Sequence, residues 1–177
     1  MAQSEQSPSV NEVFLQESIE AFQSMKQLAD KAMKQVDDSQ FHCLLDKESN
    51  SLEVMILHMH GNMLSRWTDF LTSDGEKPTR DRDGEFEPKG LDRPALIALW
   101  EQGWSVLFDA LSGLKPDDLL RQVAIRGEGH TVIKAIQRQV SHYGYHVGQI
   151  VFLAKHLSSE HWQTLSTARG QSKAFKP

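Results

Sequence analysis

Residues 141–150 read Ser-His-Tyr-Gly-Tyr-His-Val-Gly-Gln-Ile, and they lie inside a run of apolar residues with helical spacing from Val132 to Leu153. His142 and His146 are four residues apart, so on a helix their side chains lie one above the other on the same face. Two imidazoles in that arrangement can share one divalent ion, which then needs a third ligand from elsewhere. The stretch predicts a helix that carries two ligands of a metal site.

The third ligand is expected on an earlier helix, where the chain offers His58 and His60. These two residues point about 200° apart around a helix, so only one of them can share an ion with the pair. Periodicity alone leaves both open, although His58 is a plausible supplier. Gln139 and Gln149 each lie three residues outside the pair and are expected to orient the ligating rings by hydrogen bonds.

Bulk composition narrows the classes of protein to be considered. With 177 residues and 39% hydrophobic content, we expect one domain over residues 1–177. The formal net charge of −5 gives no support for a nucleic-acid partner, which usually needs a basic surface. The N-terminus lacks the pattern of a signal peptide, and no apolar run reaches membrane-spanning length. We therefore predict a cytoplasmic protein with no membrane partner.

A single cysteine, Cys43, excludes an intramolecular disulfide bond and suits a reducing compartment. It precedes Leu44 and Leu45, and we expect it to be a small buried hydrophobic residue rather than a reactive thiol.

Helical periodicity recurs in four segments, which predicts an all-α four-helix bundle. Helix one should begin near Ser9, after a flexible arm over residues 1–8. Helix two should follow a capping box formed by Asn50 and Glu53 and end near Leu71.

Residues 73–90 contain two prolines, three glycines and charges of both signs, and they predict a long crossover loop between helices two and three. Helix three should follow Asp92. Residues 122–126 alternate weakly and could be extended, but no partner strand is evident. Thr131 is the expected N-cap of helix four. The C-terminal tail, residues 158–177, is expected to pack on the bundle through the apolar residues Trp162, Leu165 and Phe175.

The predicted site and the order of the helices resemble the DinB (DNA-damage-inducible, YfiT-like) superfamily of metal-binding four-helix bundles. The likeness covers roughly residues 10 to 175. Within the superfamily, the chain resembles one bacterial subgroup of uncharacterised function. The likeness rests on His58, the His142 and His146 pair, and several further stretches: residues 61–71, 74–77, 100–104, 125–128 and 148–150. In that subgroup the helix-two ligand precedes a Gly-Asn pair by three residues, which selects His58.

The resemblance implies a metal-dependent enzyme in which the ion activates a thiol or a water, for S-transfer to a small molecule or its hydrolysis. It also implies a homodimer, for which helix three with Trp100 and Trp104 offers an apolar stripe. Nickel or zinc is the expected metal, with iron a further candidate, because imidazole suits all three. The alternative is a non-catalytic, dimeric, stress-related bundle that binds a metal or a ligand.

No carboxylate is tied to the histidines by sequence. We treat Glu128 and Asp69, together with Glu53, as candidates for a general base or a supporting partner, and Arg126 as a candidate substrate-binding residue. An anionic substrate or the carboxylates of a low-molecular-weight thiol are the expected partners of the arginines at positions 66, 80, 82 and 126. The simpler interpretation of these arginines is that they are solvated charges paired with nearby acidic residues.

Overall fold

A computed structural model describes residues 7–174 of the chain. The described part is mostly helical, with four long helices and a small two-stranded sheet. The helices are α1 (Val10–Met33), α2 (Leu52–Trp67), α3 (Arg93–Ser112) and α4 (Val132–Leu157), and the strands are β1 (Gln122–Ile125) and β2 (Glu128–Thr131). Most of the predicted arm, residues 1–6, and the predicted anchor Phe175 lie outside the described residues.

Each helix begins at a side-chain cap. Ser9 Oγ accepts a hydrogen bond from the amide of Glu12, and the Glu12 carboxylate accepts one from the amide of Ser9, which confirms the predicted start of α1. Thr131 caps α4 as predicted. The predicted capping box at Asn50 is wrong, because Ser51 is the N-cap of α2. The predicted end near Leu71 is also wrong, since α2 ends at Trp67.

Aromatic side chains from all four helices meet in one core. The Phe22 ring lies 5.8 Å from that of Tyr143 and 6.2 Å from that of Trp67. The Tyr143 hydroxyl donates to Asn62 Oδ1 (2.9 Å) and accepts from Trp67 Nε1 (3.1 Å). Because Tyr143 belongs to α4 and its two partners belong to α2, this buried chain of hydrogen bonds holds the two helices together beside the predicted metal ligands.

Both tryptophans of α3 are buried in this core, at 1% exposure for Trp100 and 0% for Trp104. They therefore do not offer the surface stripe on which the expected homodimer depended, and dimerisation stays a prediction. Cys43 is only partly buried, and Leu44 and Leu45 are exposed, so the expectation of a buried cysteine is wrong. Cys43 directly follows a 3₁₀ turn, Asp38–His42, of which only Phe41 is buried.

Residues 122–126 do have a partner strand, so the expectation that they lack one is wrong. The pair of strands adds a β-element to the predicted all-α fold. Strands β1 and β2 pair antiparallel, with Gln122 opposite Thr131 and Ile125 opposite Glu128. The two turn residues, Arg126 and Gly127, have φ angles of 58° and 74°. Positive φ at both central residues is what a type I′ hairpin turn requires.

Residues 68–92 connect α2 to α3 and run back along α2; we call this segment the α2–α3 loop. Near its start, Ser65 Oγ donates to Gly75 O (2.8 Å) and accepts from the amide of Lys77 (3.1 Å). Near its end, the buried Glu53 carboxylate accepts from the amides of Lys89 (3.0 Å) and Leu91 (3.1 Å). The long polar loop is thus fixed to the helix that carries His58.

The tail turns back onto the helices after α4. Trp162 and Leu165 pack against the core, and the Ser158 hydroxyl donates to the backbone oxygen of Gln35 (2.6 Å). Among residues 7–174, no helix has both the length and the apolar character needed to cross a bilayer.

Candidate metal centre

Three imidazole rings from two helices converge in the structure. The Nε2 atoms of His58 and His142 are 3.3 Å apart, and those of His142 and His146 are 3.1 Å apart. One nitrogen from each ring lies within 4.8 Å of the other two. His58 and His146 are buried and His142 is partly buried. The structure thus brings together the residues that the sequence predicted as ligands.

The outward-facing nitrogen of each ring has an oxygen partner. His58 Nδ1 lies 3.0 Å from Glu85 Oε2, His142 Nδ1 lies 3.3 Å from Gln139 Oε1, and His146 Nδ1 lies 2.9 Å from Gln149 Oε1. The predicted hydrogen bonds between the two glutamines and the rings are present. Carboxylate and amide oxygens accept hydrogen bonds, so these partners favour the tautomer in which Nδ1 carries the proton and Nε2 is free to ligate a metal.

The donor set fits a divalent metal ion. Three lone pairs pointed at one another repel, and a cation between them removes that repulsion. A tetrahedral ion with metal–nitrogen bonds of about 2.0–2.1 Å holds its ligand nitrogens about 3.3 Å apart, close to the two separations given above. These three histidines can therefore hold a metal ion and leave it at least one open position.

The protonation state of the rings favours metal binding as well. Burial, with the nearby His146, His58 and arginine charges, lowers the pKa of His142 to about 3. Burial and the nearby His58 lower the pKa of His146 to about 4, against the hydrogen bond that its Nδ1 donates to Gln149 Oε1, which acts in the opposite direction. Both rings are neutral at pH 7, the form in which imidazole ligates a metal.

Glu85 is the residue of this centre that sequence analysis missed. It belongs to the α2–α3 loop, is buried, and contacts both His58 and the Arg80 guanidinium, with Arg80 Nε–Oε1 at 2.6 Å and Nη2–Oε2 at 2.7 Å. Burial alone would raise its pKa, but hydrogen bonds from Arg80 and His58 hold the pKa of Glu85 below its usual value. Glu85 is therefore an ionised carboxylate, which anchors the ring of His58.

The ring of Phe86, the next residue, covers His58 with ring centroids 4.6 Å apart. His60 lies outside the centre, and its Nε2 pairs with Gln102 Oε1 at 2.9 Å. The α2–α3 loop thus supplies both a polar anchor and an apolar cover to the α2 ligand.

A cavity of about 430 Å³ opens beside the histidines. His58 and His142 form part of its wall, and the other lining residues are polar or basic: Asn62, Arg66, Arg80, Arg82, Arg126, Arg138, Gln139, Ser141 and Tyr145. Its volume lies within the range of about 300–1,000 Å³ that is usual for small-molecule sites. The open side of the candidate metal centre therefore faces a space that a small molecule can enter.

The structure places the other candidate residues at different sites. Arg126 lines the cavity, and its Nε pairs with Glu76 at 3.0 Å. Glu128 is exposed on β2, and Asp69 is exposed just after α2 with a φ of 51°. Glu53 accepts backbone amides at the far end of the α2–α3 loop. Of these four residues, Arg126 is the one that reaches the cavity, and their catalytic roles stay predictions.

The fold and the centre define a class: a mostly helical protein with a buried three-histidine group that can hold a metal ion. Comparison with known families places it more narrowly. The chain belongs to the family described as "Protein of unknown function (DUF1572)", whose model matches residues 9–171. No curated protein and no solved structure matches the chain.

Proposed function

We propose that this protein is a metal-dependent enzyme that acts on a small molecule bound in the 430 Å³ cavity. The observation that carries the proposal is the convergence of three histidine rings, of which His58 and His142 line that cavity and His146 lies directly behind them. A divalent ion held there would act as a Lewis acid and lower the pKa of a thiol or a water, so that either becomes a nucleophile near neutral pH. Nickel or zinc is the metal we expect, with iron as a further candidate.

The chain's own residues have distinct tasks in this proposal. His58, His142 and His146 hold the ion, while Glu85, Gln139 and Gln149 keep their rings oriented. The arginines of the cavity wall stabilise negative charge on the substrate or on the nucleophile. Among residues 7–174 no carboxylate lines the cavity, so we assign no general base.

Membership of the DinB superfamily is part of the proposal. Two features support it. One histidine lies on the second helix and the other two lie on the last helix, and a long loop connects α2 to α3. A low-molecular-weight thiol as co-substrate, a dimeric assembly and a cytoplasmic location are proposed on the same basis.

The lack of a lining carboxylate favours a second candidate, a non-catalytic bundle that binds a metal or an anionic ligand. Two measurements separate the candidates. Protein purified without a histidine tag is first analysed for metal by plasma mass spectrometry, and we expect close to one ion per chain. A protein without metal even after incubation with nickel or zinc would contradict the enzyme and would leave only a bundle that binds an anionic ligand.

The metal-loaded protein is then assayed with panels of electrophiles and esters, with and without thiols. Turnover that requires the metal and is lost in His142→Ala supports the enzyme. A loaded protein that is inert toward every combination favours the non-catalytic bundle.

A further inference from the structure

The cavity beside the three histidines collects most of the chain's arginines. Five of the eight arginines line it, although the protein as a whole has a net charge of −5. They come from four separate parts of the fold: α2, the α2–α3 loop, the hairpin turn and α4. Because the contributing segments are far apart in sequence, the cluster arises from the tertiary fold and not from one basic stretch.

Carboxylates neutralise only part of this charge. Glu76 contacts Arg66 at 3.0 Å, Arg80 at 3.5 Å and Arg126 at 3.0 Å, and Glu85 pairs with Arg80. Five positive charges against these two negative charges leave a formal excess of three.

The two remaining arginines of the cluster are exposed. Within the described chain, Arg82 and Arg138 form no ion pair. They are therefore the guanidinium groups most available to a bound molecule.

The two buried arginines of the cluster also favour the binding of an anion. The side chains of Arg66 and Arg80 are only 6% and 4% exposed, so water screens their charges weakly. Arg66 Nε is buried, and no described residue accepts its hydrogen. Like charges held together at low exposure are costly, and a bound anion offsets that cost.

We propose that this cavity binds the substrate through its oxyanion groups, either carboxylates or a phosphoryl group, and so holds the reacting end of the substrate at the three-histidine centre. The inference rests on the proposed function for the direction in which the substrate points. Guanidinium groups bind both kinds of oxyanion in paired hydrogen bonds. The excess of three positive charges favours a substrate that carries at least two negative charges.

The volume of the cavity and its uncharged lining residues fit a small substrate that carries oxyanion groups. A lone phosphate fills only a small part of about 430 Å³, so there is room for the rest of a small substrate between the arginines and the histidines. Asn62 uses its Oδ1 to accept from Tyr143, which leaves its amide N–H groups to donate. Ser141 and the exposed Tyr145 add hydroxyl groups at the rim.

The test is calorimetric titration of the metal-free full-length protein with inorganic phosphate, pyrophosphate and glutarate, and with acetate and glycerol for comparison. The variant is Arg82→Gln with Arg138→Gln, because neither arginine supports the fold through an ion pair within the described chain. Its matched control is Arg121→Gln with Arg169→Gln, both exposed and outside the cavity. Each double variant removes two positive charges, which changes the formal net charge from −5 to −7.

We expect the dianionic or polyanionic probes to bind to the wild type and to the control, and to bind about tenfold or more weakly to the cavity variant, since hydrogen bonds to charged groups are lost. Binding of the two phosphates without glutarate identifies a phosphoryl group, and the reverse identifies carboxylates. Equal affinity of all three proteins, or no binding of any probe, overturns the inference.

Metal content is measured on the same preparations and reads out the proposed function separately. The cavity variant should load as much metal as the wild type, because none of the three ligands has changed. A protein that holds its metal but binds no probe overturns this inference and leaves the metal centre standing. Probe binding without metal binding contradicts the proposed function and supports the oxyanion site.

Discussion

Glu85 Oε2 lies 3.0 Å from His58 Nδ1, although the two residues are 27 positions apart in the chain. A carboxylate behind a ligating histidine fixes the tautomer of the ring and makes its other nitrogen a better donor to a metal. The α2–α3 loop is therefore part of the centre, and its contribution can be measured.

Replacing Glu85 with glutamine should weaken metal binding by about 10–100-fold, the usual effect of losing such a partner. The exposed Glu87 of the same loop provides the control, since Glu87→Gln removes an equal charge outside the centre. Competition titration against a chromophoric chelator measures both affinities. Thermal unfolding of metal-free protein shows what the loss of the Arg80 ion pair contributes. Equal metal affinity in both variants would contradict the role given to Glu85.

The ligands themselves are tested by single alanine substitutions. His142→Ala and His146→Ala should each abolish stoichiometric metal binding, because two imidazoles alone do not complete the site. His60→Ala should leave binding intact, since His60 pairs with Gln102. Metal content after dialysis measures the result. Retention of metal in a His58→Ala protein together with its loss in the His60 variant would reverse the assignment on α2.

Two helical glycines give a matched pair of substitutions. A Cβ atom on Gly61 would overlap the Glu85 carboxylate, whereas a Cβ on Gly148 would meet nothing within 4 Å. Gly61→Ala should therefore displace Glu85 from His58 and lower metal affinity. Gly148→Ala should keep that affinity and raise the free energy of unfolding by up to about 1 kcal/mol. Chelator competition and chemical denaturation measure the two effects, and equal metal affinity in both would exclude the steric account.

The buried hydroxyl of Tyr143 is expected to matter for stability. Tyr143→Phe leaves the Trp67 N–H and Asn62 Oδ1 without their partner, and an unpaired buried polar group costs about 1–3 kcal/mol. Tyr145→Phe is the control, because Tyr145 is 63% exposed. Urea denaturation of both metal-free variants gives the comparison. A Tyr143→Phe protein as stable as the control would show that water replaces the lost hydrogen bonds.

Glu53 should contribute to the acid sensitivity of the fold. Burial opposes its ionisation, but hydrogen bonds from His42 and from the amides of Leu91 and Lys89 hold its pKa below the usual 4.5. A carboxyl group with a lowered folded-state pKa stabilises the protein above its unfolded-state value. That contribution is lost as the pH falls below 4.5 and through the folded-state pKa.

Glu53→Gln should therefore reduce the free energy of unfolding at pH 7, by about 1–3 kcal/mol, and the difference from wild type should shrink below pH 4.5. Glu48→Gln, at an exposed position, should show neither effect. Urea denaturation across the pH range measures both variants, and a difference that stays constant down to pH 3 would contradict the assignment.

Local patterns predicted the four helices and the shared face of His142 and His146, whereas the choice of His58 over His60 came from the family resemblance. Side chains at His142 and His146 share a face for reasons of helix geometry alone, and the caps at Ser9 and Thr131 involve only near neighbours. Glu85 could not be found in this way, because its partner is distant in sequence and the surrounding loop has no periodicity. Four of the five arginines of the cavity were named as candidate partners of an anion, but Arg138 was not, and no local pattern showed that all five line one cavity.

The β1–β2 hairpin was not predicted because its turn lacks the usual sequence signal. A two-residue turn with positive φ usually contains Asn-Gly or Asp-Gly, whereas this chain has Arg126 and Gly127. The Asp74 carboxylate accepts from both of their amides, at 2.8 and 2.7 Å, and so stabilises the unusual turn. That compensation comes from the α2–α3 loop, which no pattern within residues 122–131 reveals.

The α2–α3 loop is attached to α2 at several fixed positions, so the spacing of those positions sets the length of the loop between them. The contacts at Glu53, His58 and Ser65 are spread over twelve steps of the helix, or about 18 Å at 1.5 Å per residue. One residue inserted or deleted between Lys77 and Lys89 would put Glu85 out of step with His58 even if every side chain were kept. We therefore expect family members that use this centre to conserve the length of that segment more strictly than its composition.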